Sequence, residues 1–222
     1  MNYVFQFGDV FNAWDELLTG TWLTIRLSIL AMVLGLILAI LCALAKTSGP
    51  KPARWLVAAY VEAIRNTPFL VQLFMVFFGL PAFGLRLDAD TAALLAMVIN
   101  VGAYATEIVR AGIESVKKGQ IEAGRALGLR PLQIFRHIIL VPALQTVYPA
   151  LTSQFILLML NSSVCSAIAA NELTAAANDI QSRTFRSFEV YFVVTGIYLA
   201  LSIVFSGVFA AIERAFLRRG RP

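Results

Sequence analysis

Long stretches without a charged side chain constrain this chain more than any other feature. Five of them reach or approach the roughly 20 residues that an α-helix needs to cross the hydrocarbon core of a bilayer. They occupy residues 27–45, 66–85, 91–106, 138–171 and 191–212, and the third continues past Glu107. Because 59% of the residues are apolar and only 14% are charged, a water-soluble globular fold is excluded. We predict an all-α polytopic membrane protein with five transmembrane helices.

The positions of lysine and arginine predict which loops face the cytoplasm. Twelve of the 18 basic residues fall in three clusters, at 46–54, 117–136 and 214–221. The positive-inside rule places these clusters in the cytoplasm, with the N-terminus outside and the C-terminus inside. That orientation requires an odd number of crossings. The fourth apolar stretch is therefore predicted to cross once, with its first part at the cytoplasmic interface, broken by Pro142 and Pro149.

Motifs for catalysis or metal binding do not occur in the sequence. The single histidine, His137, lies at the end of a basic loop, and no nucleophile elbow, HExxH or phosphate-binding loop is present. Cys42 and Cys165 lie in separate apolar stretches without paired spacing. The net charge of +5 reflects membrane topology, because no platform of stacking aromatics accompanies it. We expect no catalytic residue, no metal ligand and no nucleic-acid partner.

A basic segment between two apolar stretches has the most specific pattern in the chain. Residues 117–142 read KKGQIEAGRALGLRPLQIFRHIILVP. Gly128 would permit a turn between two short helices, because glycine tolerates a positive φ. Glu122 would complement the dipole of the first helix from its first turn. The small apolar side chains that this segment could present to another protein are Ala123, Ala126 and Leu127.

Charged residues also occur next to or inside the second and third apolar stretches. Glu62 and Arg65 are three positions apart, and one interpretation is an intrahelical pair near the cytoplasmic face with a kink at Pro68 beyond it. A second set has helical spacing, so that its arginine can pair with either acid: Glu107, Arg110 and Glu114.

Asn161, Ser162 and Ser163 interrupt the fourth apolar stretch. In membrane helices such side chains often bond to neighbouring helices or to their own backbone. Alternatively, they line a small pocket at the membrane midplane for the amino and carboxylate groups of a substrate. Both interpretations stay open. Gly35 in the first stretch, by contrast, is explained by close helix packing.

Three strings together resemble the permease subunits of bacterial ABC importers for polar amino acids. They are RNTPFLVQLFMVFFGLP at 65–81, AYATEIVRAGIESVKKGQIEAG at 103–124, and the loop that follows. The resemblance extends over residues 20–218 and implies the type I importer fold. Two positions depart from the family pattern. Pro142 is displaced by one residue, and Gly124 replaces an alanine, which lowers helix propensity.

The resemblance also implies a division of the chain and roles for particular residues. Residues 1–19 form an external or interfacial segment, 20–218 one transmembrane domain with a cytoplasmic coupling loop at 117–137, and 219–222 a cytoplasmic tail. The residues expected to contact an ATPase are Glu122, Ala123, Ala126, Leu127 and Gly128. Those expected along the substrate pathway are Asn161, Ser162 and Ser163.

The partners implied by the resemblance complete an importer in the bacterial inner membrane. They are a second permease, identical or paralogous, an external substrate-binding protein, and two ATPase subunits that bind the ATP and Mg. No cofactor is expected in this chain. Two other classes stay open from the sequence: a passive channel or secondary transporter, which needs no docking loop, and a structural membrane anchor. The sequence does not specify which amino acid is carried.

Overall fold

The chain folds into α-helices without β-strands over residues 4–217, the part that the computed structural model describes. The predicted cytoplasmic tail, 219–222, lies outside these residues. The helices are α1 (Gly8–Asn12), α2 (Trp14–Ser48), α3 (Lys51–Arg65), α4 (Phe69–Phe74), α5 (Ala89–Glu114), α6 (Lys118–Ala126), α7 (Pro131–Ile134), α8 (Leu140–Asn161), α9 (Leu173–Thr184) and α10 (Ser187–Ile212). Short π or 3₁₀ turns extend some of them: Met75–Gly79, Leu80–Phe83, Phe135–Ile139 and Ser162–Ile168.

Four continuous helical segments are long and apolar enough to cross a bilayer. They are Trp14–Ser48, Ala89–Glu114, Pro131–Ile168 and Ser187–Ala215. Lys51–Arg65 and Phe69–Phe83 are long and apolar enough only as a pair, bent by 112° at the break between them, and they bring the number of spans to five if the pair crosses once. The prediction of an all-α membrane fold with five spans is confirmed, and the orientation of the two termini stays a prediction.

Helices α2 and α5 pack closely along small residues. A Cβ added at Gly35 would lie 2.2 Å from Cγ1 of Val101, and one added at Gly102 would lie 2.7 Å from Cδ2 of Leu38. Small side chains let membrane helices approach each other because van der Waals packing replaces the hydrophobic effect there. Gly35 is therefore a packing residue, as its sequence position indicates. The same pair of helices buries Ala31, Ala39, Ala93 and Ala96 completely.

Pro142 and Pro149 do not break the fourth span, contrary to the prediction. Pro149 lies inside α8, and Pro142 lies in its first turn, directly after the π turn at Phe135–Ile139. A π turn changes the hydrogen-bond register, and here it does so next to the position where the proline N–H is missing. Since an interrupted helix would leave polar backbone groups in lipid, the continuous helix is favoured.

A second apolar cluster joins the beginning of the chain to the segment before the last span. Leu17 of α2 is fully buried there together with Leu173 and Ile180 of α9 and Val190 of α10. The backbone N–H of Gln6 also donates to Oε1 of the buried Glu189 at 2.9 Å. The N-terminal segment is thus held against the end of the bundle that topology predicts to be external.

Candidate translocation pathway and coupling surface

The second span breaks at residues 66–68, level with the middle of α5. Just before the break, the hydroxyl of Tyr60 donates to the carbonyl of Ile99 at 2.6 Å. The guanidinium of Arg65 lies 5.6 Å from the ring centroid of Tyr104. Since the residues contacted on α5 are midway between its ends, the break lies near the middle of the bilayer.

Pro68 explains why the helix stops here. Proline lacks a backbone N–H and disfavours the helical conformation in the residue before it. Accordingly α3 ends at Arg65, Pro68 itself is extended with ψ 140°, and α4 begins at Phe69. The break leaves carbonyl groups without helical partners, and the hydrocarbon core of the bilayer offers no water to bond to them.

The side chain of Gln72 satisfies these carbonyl groups. Its Nε2 donates to the carbonyl of Ile64 at 2.7 Å and to the carbonyl of Thr67 at 3.0 Å. On the other side of the amide, Nδ2 of Asn100 donates to Oε1 of Gln72 at 2.9 Å. Both amides are buried. Gln72 lies within the string at 65–81 that carries the family resemblance, but no role was predicted for it or for Asn100; an amide inside an apolar stretch is the signal that could have identified both.

Glu62 and Arg65 do not pair with each other, and the predicted intrahelical ion pair is wrong. A carboxylate oxygen of Glu62 instead accepts a 3.0 Å hydrogen bond from Nδ2 of Asn66. Arg65 is drawn to the face of the Tyr104 ring, because the ring quadrupole attracts cations. Glu62 and Arg65 are both exposed in the single subunit. Charges exposed at this depth cannot be solvated by lipid, so this surface must face water or another protein.

The predicted pathway residues 161–163 follow directly on the end of α8. The side chain of Asn161 is exposed. Ser162 is completely buried, and its hydroxyl donates to the carbonyl of Met159 at 2.7 Å. The Ser163 hydroxyl donates to the carbonyl of Leu160 at 2.8 Å. Both serines thus bond to their own backbone, one of the two interpretations that the sequence left open, and Asn161 is the member of the group available to a ligand.

An ion network joins α2 to α5 near the predicted cytoplasmic ends of both helices. Arg110 contacts Glu107 at 2.7 Å and Glu114 at 2.5 Å, so that it pairs with both acids. Lys46 of α2 adds a contact of 2.6 Å to Glu107. The network fixes the part of α5 that leads into the coupling loop.

The coupling loop forms a helical hairpin, as predicted, with its turn at Gly128. This glycine has φ 74°, a conformation that side chains with a Cβ disfavour. Its N–H donates to the carbonyl of Arg125 at 2.9 Å, and the N–H of Leu129 donates to the carbonyl of Gly124 at 3.1 Å. These two bonds form a Schellman motif that ends α6.

Gly124 is explained by the packing of α6 against the following helix. It is buried, and a Cβ added there would lie 2.5 Å from Cδ1 of Ile138 and 3.4 Å from Cγ1 of Ile134. The family alanine would therefore require the Ile138 side chain to move aside. The lower helix propensity of glycine is offset by this close approach.

Glu122 lies in the second turn of α6, so its predicted place in the first turn is wrong. The helix begins at Lys118, and no acidic residue lies in its first turn. Because the helix-dipole effect fades beyond the first turn, Glu122 contributes little through it. The predicted contact residues Ala123, Ala126 and Leu127 are exposed, and Leu127 is 80% accessible to solvent. They form an apolar surface at the tip of the hairpin, which we call the coupling surface.

Known transport permeases are similar to this protein over nearly the whole chain. Residues 31–218 match the family described as the inner membrane component of binding-protein-dependent transport systems. The L-cystine transport system permease protein TcyB of Bacillus subtilis is 41% identical, over 90% of this chain and 86% of the relative. The glutamine transport system permease protein GlnP of Escherichia coli is 35% identical, over 95% and 97%.

Solved structures share the fold. A crystal structure of an amino acid ABC transporter with histidines superposes with a TM-score of 0.88 at 36% identity, covering 96% of this chain and 100% of the other. An inward-facing form of the MetNI methionine ABC transporter gives a TM-score of 0.75 over 90% and 95%. Its identity of 22% supports the fold alone.

Proposed function

This chain belongs to the family of binding-protein-dependent transport system inner membrane components, and we propose that it translocates a polar amino acid into the bacterial cytoplasm. Its relatives are permease proteins named for cystine, glutamine, arginine and octopine transport. As a permease of an ABC importer, it works with an ATPase and with a substrate-binding protein. The proposal extends this to the transported class, the assembly, the membrane and the residues that act.

The coupling surface is the observation that carries the proposal. An exposed leucine and two exposed alanines lie at the tip of a hairpin whose turn is fixed by Gly128. A channel or secondary transporter has no need of such an apolar tip, which would be an aggregation liability if it stayed uncovered. We assign Glu122, Ala123, Ala126, Leu127 and Gly128 to the contact with the ATPase.

A second permease subunit, identical or paralogous, is part of the proposed assembly. Glu62 and Arg65 lie exposed near the middle of the bilayer, where lipid would not cover them. A second subunit facing this surface would enclose it as an aqueous pathway, and the exposed Asn161 would belong to the same route. Two ATPase subunits that bind ATP and Mg, and one external binding protein, complete the assembly in the inner membrane.

Alternating access follows from how the hairpin is attached. α5 continues into α6 after only Ser115, Val116 and Lys117, so a displacement of the hairpin acts directly on α5. α5 in turn is tied to α2 by the contact between Lys46 and Glu107 and to α4 by the contact between Asn100 and Gln72. When two ATPase subunits close, they would draw the hairpins together and move the pathway helices with them.

The proposal is tested by reconstituting the chain with its ATPase and binding protein in liposomes. We expect uptake of at least one polar amino acid that requires ATP and the binding protein, together with stimulated ATP hydrolysis. L-cystine, L-glutamine and L-arginine are the first to be measured. A control complex carries an ATPase that binds but does not hydrolyse ATP. Uptake that continues with this control, or no uptake across all proteinogenic amino acids and cystine, would overturn the proposal.

A further inference from the structure

We propose that Arg65 and Glu62 form a subsite for the α-carboxylate and the α-ammonium group of the transported amino acid. This inference rests on the proposed function and assigns part of its specificity to this subunit. A guanidinium presents paired donors that match a carboxylate, and a carboxylate accepts hydrogen bonds from an ammonium group. The two side chains lie three residues apart in the last turn of α3, beside the break in the second span.

Arg65 is held in place without consuming its hydrogen-bond donors. Its contact with Tyr104 is made through the face of the ring, 5.6 Å from the centroid. Within residues 4–217 its guanidinium makes no ion pair, although Glu62 is three positions away. A stacked guanidinium keeps its N–H groups available in its own plane. Arg65 is thus a cation oriented by an aromatic ring and open to an anion.

Glu62 is oriented in a comparable way. One carboxylate oxygen accepts the hydrogen bond from Nδ2 of Asn66, and the same amide nitrogen also donates to the backbone carbonyl of Glu62 at 2.8 Å. A carboxylate has about four acceptor positions, so one hydrogen bond leaves capacity for an ammonium group. The side chain is exposed on the same turn as Arg65.

The charges of this pair suit what the relatives' substrates share. Cystine, glutamine and arginine, for which relatives are named, differ in their side chains but all carry α-ammonium and α-carboxylate groups. One cation and one anion complement that zwitterion, and the complex has no net charge to stabilise at low dielectric. Side-chain selection would then rest on other residues or on the binding protein.

Gln72 and Asn100 act as positioning residues for the subsite. The Nε2 of Gln72 bonds to the carbonyl of Ile64, the residue directly before Arg65. Asn100 fixes the orientation of that amide from α5, the helix that also supplies Tyr104. The last turn of α3 is therefore locked to α5 at two points, one by hydrogen bonds and one by the ring contact.

The decisive experiment combines variants of the protein with analogues of the ligand. Equilibrium binding of radiolabelled L-cystine, L-glutamine and L-arginine is measured on the purified permease–ATPase complex without binding protein. Competition by the matching α-carboxamide and by the analogue lacking the α-amino group gives two selectivity ratios. We expect wild type to prefer the amino acid about tenfold or more over either analogue.

Each variant should lose one ratio only. Arg65→Gln should weaken binding of the amino acid about tenfold and leave the carboxamide unaffected, whereas Glu62→Gln should do the same relative to the analogue without the amino group. Arg65→Lys should recover part of the selectivity. Arg54→Gln, which removes an exposed cation from the same helix, should behave like wild type.

Other outcomes separate the subsite from the proposed function. If Arg65→Gln weakens the amino acid and the carboxamide equally, the residue is structural and the subsite is refuted. If wild type drives ATP-dependent uptake but shows no saturable binding of any amino acid that it carries, the subsite is refuted and the proposed function stands. Failure of wild-type uptake itself would count against the proposed function.

Discussion

Asn100 and Gln72 are hydrogen-bonded to each other inside the helix bundle, with 2.9 Å between Nδ2 of Asn100 and Oε1 of Gln72. The contact joins the third span to the break in the second. Its importance comes from the second half of the Gln72 amide, which donates to two carbonyl groups freed by that break. One side chain therefore satisfies an interrupted backbone and is itself held by a neighbouring helix.

Gln72→Leu should destabilise the subunit more than Asn100→Leu. The first change removes the hydrogen bonds of the Gln72 amide to the carbonyls of Ile64 and Thr67, to the Thr67 hydroxyl and from Asn100, each worth about 0.5–1.5 kcal/mol. The second removes one interhelical hydrogen bond, which in membrane proteins averages about 0.6 kcal/mol. Thermal unfolding of the purified permease would measure both. The double variant should cost less than the sum, and strict additivity would show that the two amides are not coupled.

The parts of the structure that follow from local requirements could be predicted from the sequence. Five spans follow from five stretches without charge, and the hairpin follows from a glycine within a polar loop. Gly35 and Gly128 report requirements of their own positions, close approach to Val101 and a positive φ. Such requirements are visible in one residue and its neighbours in sequence.

The predictions from the sequence that were wrong or missing concern groups that the fold brings together from distant positions. Arg65 prefers the ring of Tyr104, 39 residues away in sequence, to the acid three positions before it. Gln72 and Asn100 are separated by 28 residues, so no periodicity relates them. Pro142 fails to break its span because a π turn precedes it, and that turn has no signature in the sequence.

Topology can be tested by labelling single cysteines in a variant whose Cys42 and Cys165 have been replaced by alanine. Cysteines at Lys51 and Lys118 should react only with reagent applied from the cytoplasm, and a cysteine at Asp179 only from outside. All three side chains are exposed, so access is decided by the membrane. Labelling of position 179 from the cytoplasm would contradict the orientation given by the positive-inside rule.

Asn161→Leu should lower uptake several-fold while leaving assembly and basal ATP hydrolysis intact. The exposed amide would offer hydrogen bonds to a passing polar substrate, and leucine offers none. Ser162→Ala is the matched comparison, because that hydroxyl is buried and bonded to its own backbone. It should preserve uptake. Normal uptake by Asn161→Leu, measured at equal expression, would mean that this segment only packs helices.

Gly124→Leu should displace α6 and weaken coupling. The new side chain would overlap Ile138, whose Cδ1 already lies 2.5 Å from a Cβ built at this position. Overpacking of this kind costs about 1–3 kcal/mol. Gly119→Leu is the control, since it lies in the same helix with nothing within 4 Å of its Cβ position. The amount of ATPase that co-purifies should fall for the first variant only, and equal retention by both would remove the packing role of Gly124.

Gly128→Ala should destabilise the coupling hairpin and Gly119→Ala should stabilise it, although the chemical change is the same. At Gly128 the φ of 74° penalises a Cβ by about 1–2 kcal/mol, whereas at Gly119 alanine favours the helix by up to about 1 kcal/mol. No atom of this subunit lies within 4 Å of the Cβ position at Gly128, so the cost within the chain is one of backbone conformation.

Gly128→Asp adds bulk and charge beside the coupling surface. It should reach the membrane at normal levels, retain binding of the external protein and lose ATP-driven uptake. Normal uptake by Gly128→Asp at wild-type expression would refute the assignment of this hairpin as the contact with the ATPase.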